Sequence, residues 1–272
     1  MSYETILTEV RERVMHLTLN RPERRNALSE RLKEELLRAI EDAESDEGVG
    51  CILIKGAGPA FCSGHDFTDL AEAQHGLEPR DITPLDLLNS LDKVTDPWAK
   101  LWNVSKPTIA QLHGYCLGGG MELAFNCDVV FAAEDAMIGY PPVRAQGSIQ
   151  TYMWNYLVGP QWAKIIMLTG DQVDGATAAQ IGLVAKSVPS NELGEQTHAL
   201  ARRMALIPHE LQAVNKALCN KALELMGREQ MQDLARQADR FAYSGRTAAE
   251  WKRRLLENGP REAVNWRDDK FR

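Results

Sequence analysis

The sequence predicts an α/β protein, and three observations carry that expectation. Near the N-terminus, a helical pattern over residues 30–43 leads into VGCILIK at 49–55, an apolar run typical of a buried strand. Further on, residues 107–130, PTIAQLHGYCLGGGMELAFNCDVV, read as strand, glycine turn, helix and strand. Beyond about residue 190, alternation gives way to nearly continuous helical periodicity. A helix-covered sheet over residues 1–190 and a helical region over 191–272 account for all three.

Taken in order, Tyr3 to Leu19 carries two apolar bursts around Arg11-Glu12-Arg13 and reads as a β-hairpin or two paired strands. The loop Asn20 to Leu28 holds Pro22 and three arginines. It is either a solvated basic loop or a fork for phosphate oxygens. Ser29 suits the N-cap of a helix whose Leu32, Leu36, Leu37 and Ile40 share one face. After the strand at 49–55, GAGPAFCSGHDFTDL is broken by three glycines and forms a second loop. HGLEPRDITP reads as a surface loop. A helix is expected from near Pro84, with Trp98 and Trp102 as core or pocket wall.

In the stretch at 107–130, the turn Gly118-Gly119-Gly120 admits positive φ and close approach to the backbone. The helix expected from Met121 to Asn126 starts with unpaired N–H groups, which suit an anionic oxygen, and holds Glu122 in its first turn. Glu122 is therefore either an acid/base carboxylate or a group serving the helix dipole. Strands are expected at 128–132 and 136–139 and a closing strand at 182–188. Helices are expected at 151–157, 161–168, 174–180, 193–205, 208–226 and 229–258.

Composition bounds the function. The 272 residues have 44% hydrophobic and 25% charged content, ordinary for a globular protein. Thirty-one basic against thirty-eight acidic residues give a net charge of −7, which argues against a nucleic-acid partner. No apolar run approaches the roughly 18 residues of a membrane span. The start MSYETILTEV lacks a signal-peptide pattern. Five cysteines without CxxC spacing read as reduced thiols, so a cytoplasmic setting is expected.

The run HGYCLGGGMELAFNCDVVFA resembles the signature of the crotonase superfamily, the enoyl-CoA hydratase/isomerase family. NRPERRNAL and FCSGHD are similar to two further segments of it, and the likeness covers about residues 5–188. The resemblance implies a spiral of ββα units followed by a helical trimerisation region, with a homotrimer or dimer of trimers. It implies an acyl-CoA substrate and no separate cofactor or metal, CoA arriving with the substrate. By the same match, the N–H groups of His65 and Gly119 polarise the thioester oxygen, and Glu122 transfers the proton. Contacts to the acyl-CoA fall to Arg25, Ala27, Ser63, Asp66, Phe67, Gly118, Tyr140 and Pro142, with Lys270 or Phe271 completing the CoA site.

One departure matters. Hydratases of this pattern carry a second glutamate where this chain has Pro142, and many of the family's isomerases rely on that carboxylate too. Hydration by Glu122, decarboxylation, C–C hydrolysis and isomerisation therefore stay open, as does an acyl-CoA-binding protein without activity. Tyr140, Arg144, Tyr115, Tyr152 and the His65 ring are candidates to fill the gap. Arg144 is expected either to bind a substrate carboxylate or to make a structural ion pair.

Overall fold

A computed structural model describes residues 3–67 and 98–272. The expected helix from Pro84 lies outside the described residues. The chain opens with β1 (Ile6–Arg11) and β2 (Val14–Leu19), an antiparallel hairpin in which Arg11 pairs with Val14. Its two turn residues, Glu12 and Arg13, both have positive φ, as a tight hairpin of this twist requires. A single turn at Pro22–Arg24 precedes α1 (Glu30–Ser45), whose first turn is capped by the Ser29 hydroxyl accepting from the Leu32 N–H. β3 (Cys51–Gly56), a short α2 (Ala99–Asn103) and β4 (Thr108–Leu112) follow.

Next come β5 (Tyr115–Leu117), α3 (Gly119–Ala124), β6 (Val129–Ala133) and β7 (Met137–Gly139). A 3-10 turn at Pro141–Arg144 leads to α4 (Trp154–Leu157) and α5 (Gly159–Thr169). β8 (Gln172–Asp174), α6 (Gly175–Gln180) and β9 (Lys186–Val188) complete the strand-bearing part.

Six strands form one sheet in the order β1-β2-β3-β4-β6-β9, parallel beyond the hairpin, and β5-β7-β8 form a second, small sheet. Both faces of the large sheet are covered. Ile52 and Ile54 of β3 point into the main core with Leu17 and Leu19, while Cys51 and Leu53 join Val14, Ile109, Ala201 and Ala205 on the other face. Burial on both faces explains why β3 reads as an unbroken apolar run.

The helical region consists of α7 (Leu193–Ala205), α8 (His209–Leu225), α9 (Arg228–Tyr243), α10 (Arg246–Asn258) and α11 (Pro260–Asp268). The single helix expected over 229–258 is two. Ser244 ends α9, and Gly245, in an extended conformation, starts α10. Residues 151–153 are not helical, and Tyr152 adopts positive φ there. Helix α3 starts at Gly119 rather than Met121, so two of the turn's glycines are helical.

Candidate active site

Two loops meet edge to edge. The FCSGHD loop is held by Cys62 N–H donating to the Tyr115 carbonyl and by Leu117 N–H donating to the Cys62 carbonyl, each at 3.0 Å. A methyl group on Gly120 would lie 2.7 Å from the Cys62 carbonyl oxygen. One on Gly119 would lie 2.9–3.1 Å from three atoms of the His65 ring. Only glycine lets the helix start sit so close to that loop. Neither the His65 nor the Gly119 N–H donates to another backbone carbonyl among the described residues.

Glu122 lies on α3, 2% exposed, so its carboxylate is carried inward by the helix's first turn. Its Oε1 accepts from the Tyr140 hydroxyl and the Gln150 N–H, both at 3.3 Å. Its Oε2 lies 3.9 Å from His65 Nε2, beyond hydrogen-bond reach. The His65 side chain keeps 39% of its surface accessible. Desolvation, reinforced by the nearby Lys33 charge, lowers its pKa below the ordinary imidazole value, though solvent at this accessible ring tempers the shift, so at neutral pH the ring is uncharged and forms no ion pair with Glu122. Burial, together with the Glu122 charge, pushes the Tyr140 hydroxyl well above its ordinary value, which keeps it a donor. That hydroxyl also lies 3.2 Å from the Ser148 carbonyl. Gly118, with φ of 53°, donates its N–H to the Gly139 carbonyl, and the Pro142 ring packs over it.

The second group of expected residues lies on the adjoining loops. Arg25 is exposed, with its guanidinium 5.5 Å from the Tyr115 ring centre. Its carbonyl accepts from the Ser63 N–H. Arg21 is already engaged: it donates to the Ala27 carbonyl at 2.7 Å and pairs with Asp66 at 2.8 Å. Asp66 thus ties the two loops together. Phe67 packs edge-on against Trp251 of α10, with ring centres 5.2 Å apart. Arg144 is the structural alternative of the two expected: it pairs with Asp171 and Asp268, donates to the Thr169 carbonyl and stacks on Phe271. Trp98 is fully buried, and Trp102 packs under the Arg228 guanidinium.

Residues 9–252 match the enoyl-CoA hydratase/isomerase family. The chain belongs to this family. A probable enoyl-CoA hydratase of Mycobacterium bovis is 35% identical over 227 residues, which cover 82% of this chain and 84% of the relative. The 2,3-dehydroadipyl-CoA hydratase of Escherichia coli K12 is 35% identical over 217 residues, covering 78% and 81%. An enoyl-CoA hydratase/isomerase from Xanthobacter autotrophicus Py2 superposes with a TM-score of 0.89 at 35% identity and covers the whole of both chains. The enoyl-CoA hydratase of Mycobacterium smegmatis gives a TM-score of 0.89 at 33% identity, over 98% of this chain and 94% of the other. The expected crotonase-like fold is thereby established.

Within that family frame, three participants in the site were not singled out by the sequence, and two of them, Gln150 and Asp239, carried no signal in it. Gln150 reaches Glu122 through its backbone N–H, which any residue but proline possesses. Asn26, fully buried, accepts from Arg21 N–H and donates to the Ala57 and Ala60 carbonyls, each at 2.8 Å. Asp239 of α9 receives the Ser148 N–H and the Gln150 side chain. Asn26 sat within a quoted motif, whereas Asp239 lay far along the chain in a stretch with none.

Proposed function

We propose that this family member binds the thioester of an enoyl-CoA or related acyl-CoA with its carbonyl oxygen at the His65 and Gly119 N–H groups. Glu122 moves the proton. The observation that carries the reading is the placement of Glu122 beside two juxtaposed backbone N–H groups that have no backbone partner among the described residues. Two fixed donors aimed at an enolate oxygen stabilise charge that develops only during reaction. In hydration, Glu122 takes a proton from water as the water oxygen bonds to the β-carbon. The thioester becomes an enolate, and the same proton returns to the α-carbon. One carboxylate closes that cycle, so Pro142 does not forbid it. Tyr140 and the Gln150 N–H orient the carboxylate throughout.

Arg25, Ala27, Ser63, Asp66, Phe67 and Gly118 fall to the CoA-proximal part of the substrate, with Pro142 and Tyr140 at the acyl side. This chemistry calls on no metal or redox group. A second reading, favoured by Pro142, is another enolate reaction at the same centre: decarboxylation, C–C hydrolysis or isomerisation. A homotrimer is proposed on the exposed Leu211, Val214, Leu218 and Leu225, which recur along one side of α8. Cytoplasm is the proposed setting, in keeping with five unpaired cysteines.

The test is loss of conjugated-thioester absorbance from crotonyl-CoA and a longer enoyl-CoA. Glu122→Gln keeps an oxygen for both donors and removes the proton carrier, so kcat is expected to fall by roughly 10²–10⁴ with KM little changed. An unchanged kcat would overturn the assignment. Substrate binding without turnover would favour malonyl-type or β-keto thioesters as the next substrates, or a binding protein.

A further inference from the structure

The segment that reaches Glu122 is gripped from the helical region at three successive points. Arg267 of α11 donates to the Gln146 side chain at 2.9 Å. Asp239 of α9 accepts the Ser148 N–H at 2.7 Å through one oxygen and the Gln150 side-chain amide at 3.0 Å through the other. Gln232, two helical turns before Asp239 on α9, donates to the Thr151 carbonyl at 2.7 Å. A methyl group at position 147 would lie 2.2 Å from Asp239 Oδ1, so glycine there admits the carboxylate to the backbone. Within this short segment, one group meets Glu122 and another meets the Tyr140 hydroxyl. The Gln150 N–H bonds to Glu122 Oε1, and the Ser148 carbonyl faces the Tyr140 hydroxyl that bonds to the same oxygen. Asp239 touches neither Glu122 nor Tyr140 in these contacts. Yet it fixes both the residue that donates to Glu122 and the one that faces Tyr140.

We propose that Asp239 is a positioning residue for Glu122, holding residues 148–150 so that the Gln150 N–H and the Tyr140 hydroxyl keep the carboxylate aimed at the substrate α-carbon. The helical region is thus part of the proton-transfer apparatus. This inference rests on the reading of Glu122 given above. The two neutral donors that hold Asp239 can be served by an amide as well as by a carboxylate, because Gln150 can rotate its own amide to present oxygen. Position, not charge, is what Asp239 supplies.

The experiment compares wild type, Asp239→Ala, Asp239→Asn, Glu122→Gln and the double variant Glu122→Gln/Asp239→Ala in the full chain. The first readout is α-proton exchange of butyryl-CoA in D2O followed by NMR, which needs no prior choice of overall reaction. The second is hydrogen exchange of the peptide spanning residues 146–151. Asp239→Ala is expected to slow proton exchange on the order of 10²-fold at saturating substrate with KM within about threefold, since a displacement near 1 Å is enough for that loss. It should also speed amide exchange in residues 146–151. Asp239→Asn should recover to within about fivefold of wild type, and the double variant should be no slower than Glu122→Gln. An undiminished rate in Asp239→Ala overturns the proposal. So does an equal further loss in the Glu122→Gln background, or an Asp239→Asn variant as impaired as the alanine. Full activity in Glu122→Gln, or no α-exchange in wild type, instead overturns the Glu122 reading and the proposal with it. In that case faster amide exchange in Asp239→Ala would show that the grip on the loop is real but serves another purpose.

Discussion

Asn26→Ala removes a side chain that the structure uses three times. Asn26 is 0% exposed and sits at φ of 54°, a left-handed conformation that asparagine tolerates better than alanine. The substitution deletes the acceptor for Arg21 N–H and the donor to the carbonyls of Ala57 and Ala60. At about 1 kcal/mol per lost bond, that is ~3 kcal/mol. Holding alanine in the left-handed region adds about 1 kcal/mol. An unfolding entropy of about 2.1 cal/mol/K per residue over 272 residues converts the ~4 kcal/mol total into a drop of about 7 °C in Tm. The loop it braces supports the next one: the Arg25 carbonyl accepts from Ser63 N–H, and the Leu28 carbonyl from Asp66 N–H, on either side of His65. Thermal melting by circular dichroism is the assay, with enoyl-CoA turnover measured well below Tm. We expect turnover to fall along with stability. A Tm within 2 °C of wild type, with normal turnover, would refute the accounting and the bracing role together.

Two further outcomes are expected. Gly120→Ala drives a methyl group to 2.7 Å from the Cys62 carbonyl oxygen, a backbone atom, so the loop that presents the His65 N–H must shift. A fall in kcat of roughly 10²–10³ together with a lowered Tm is predicted, read from steady-state kinetics and thermal melting. His16, buried and 3.1 Å from His198, has its pKa lowered to about 4, chiefly by burial. Since the unfolded chain takes up that proton near pH 6.5, stability should fall as pH drops from 6.5 to about 4, by about 3 kcal/mol from this residue. Urea titrations of wild type and His16→Gln across that range should show the difference between them shrinking by this amount.

What the sequence made legible was local. The glycine turn, Glu122 and the Ser29 cap are set by neighbours a few residues away, and the apolar run of β3 reports burial on both faces directly. Misreadings came where distant contacts override propensity. Glycine is a poor helix former, so α3 was expected to begin after the glycines. The close fit of Gly119 on His65 and Gly120 on Cys62 makes them helical instead. The three-residue β8 carries too little pattern to be read without its partner β7. The grip of Asp239 on Ser148 joins residues 91 apart, and no spacing rule connects them.

The ion pair between Arg21 and Asp66 has a consequence for how substrate is sensed. Through it, and through the Arg21 bond to the Ala27 carbonyl, two segments some forty residues apart become a single lip. In the proposed pose one edge of that lip meets the nucleotide handle and the other presents the His65 N–H to the reacting carbonyl. Grip on the handle is therefore converted into readiness at the thioester. A substrate shortened at its handle should lose rate as well as affinity, because binding energy gathered far from the reacting bond no longer sets the donor in place.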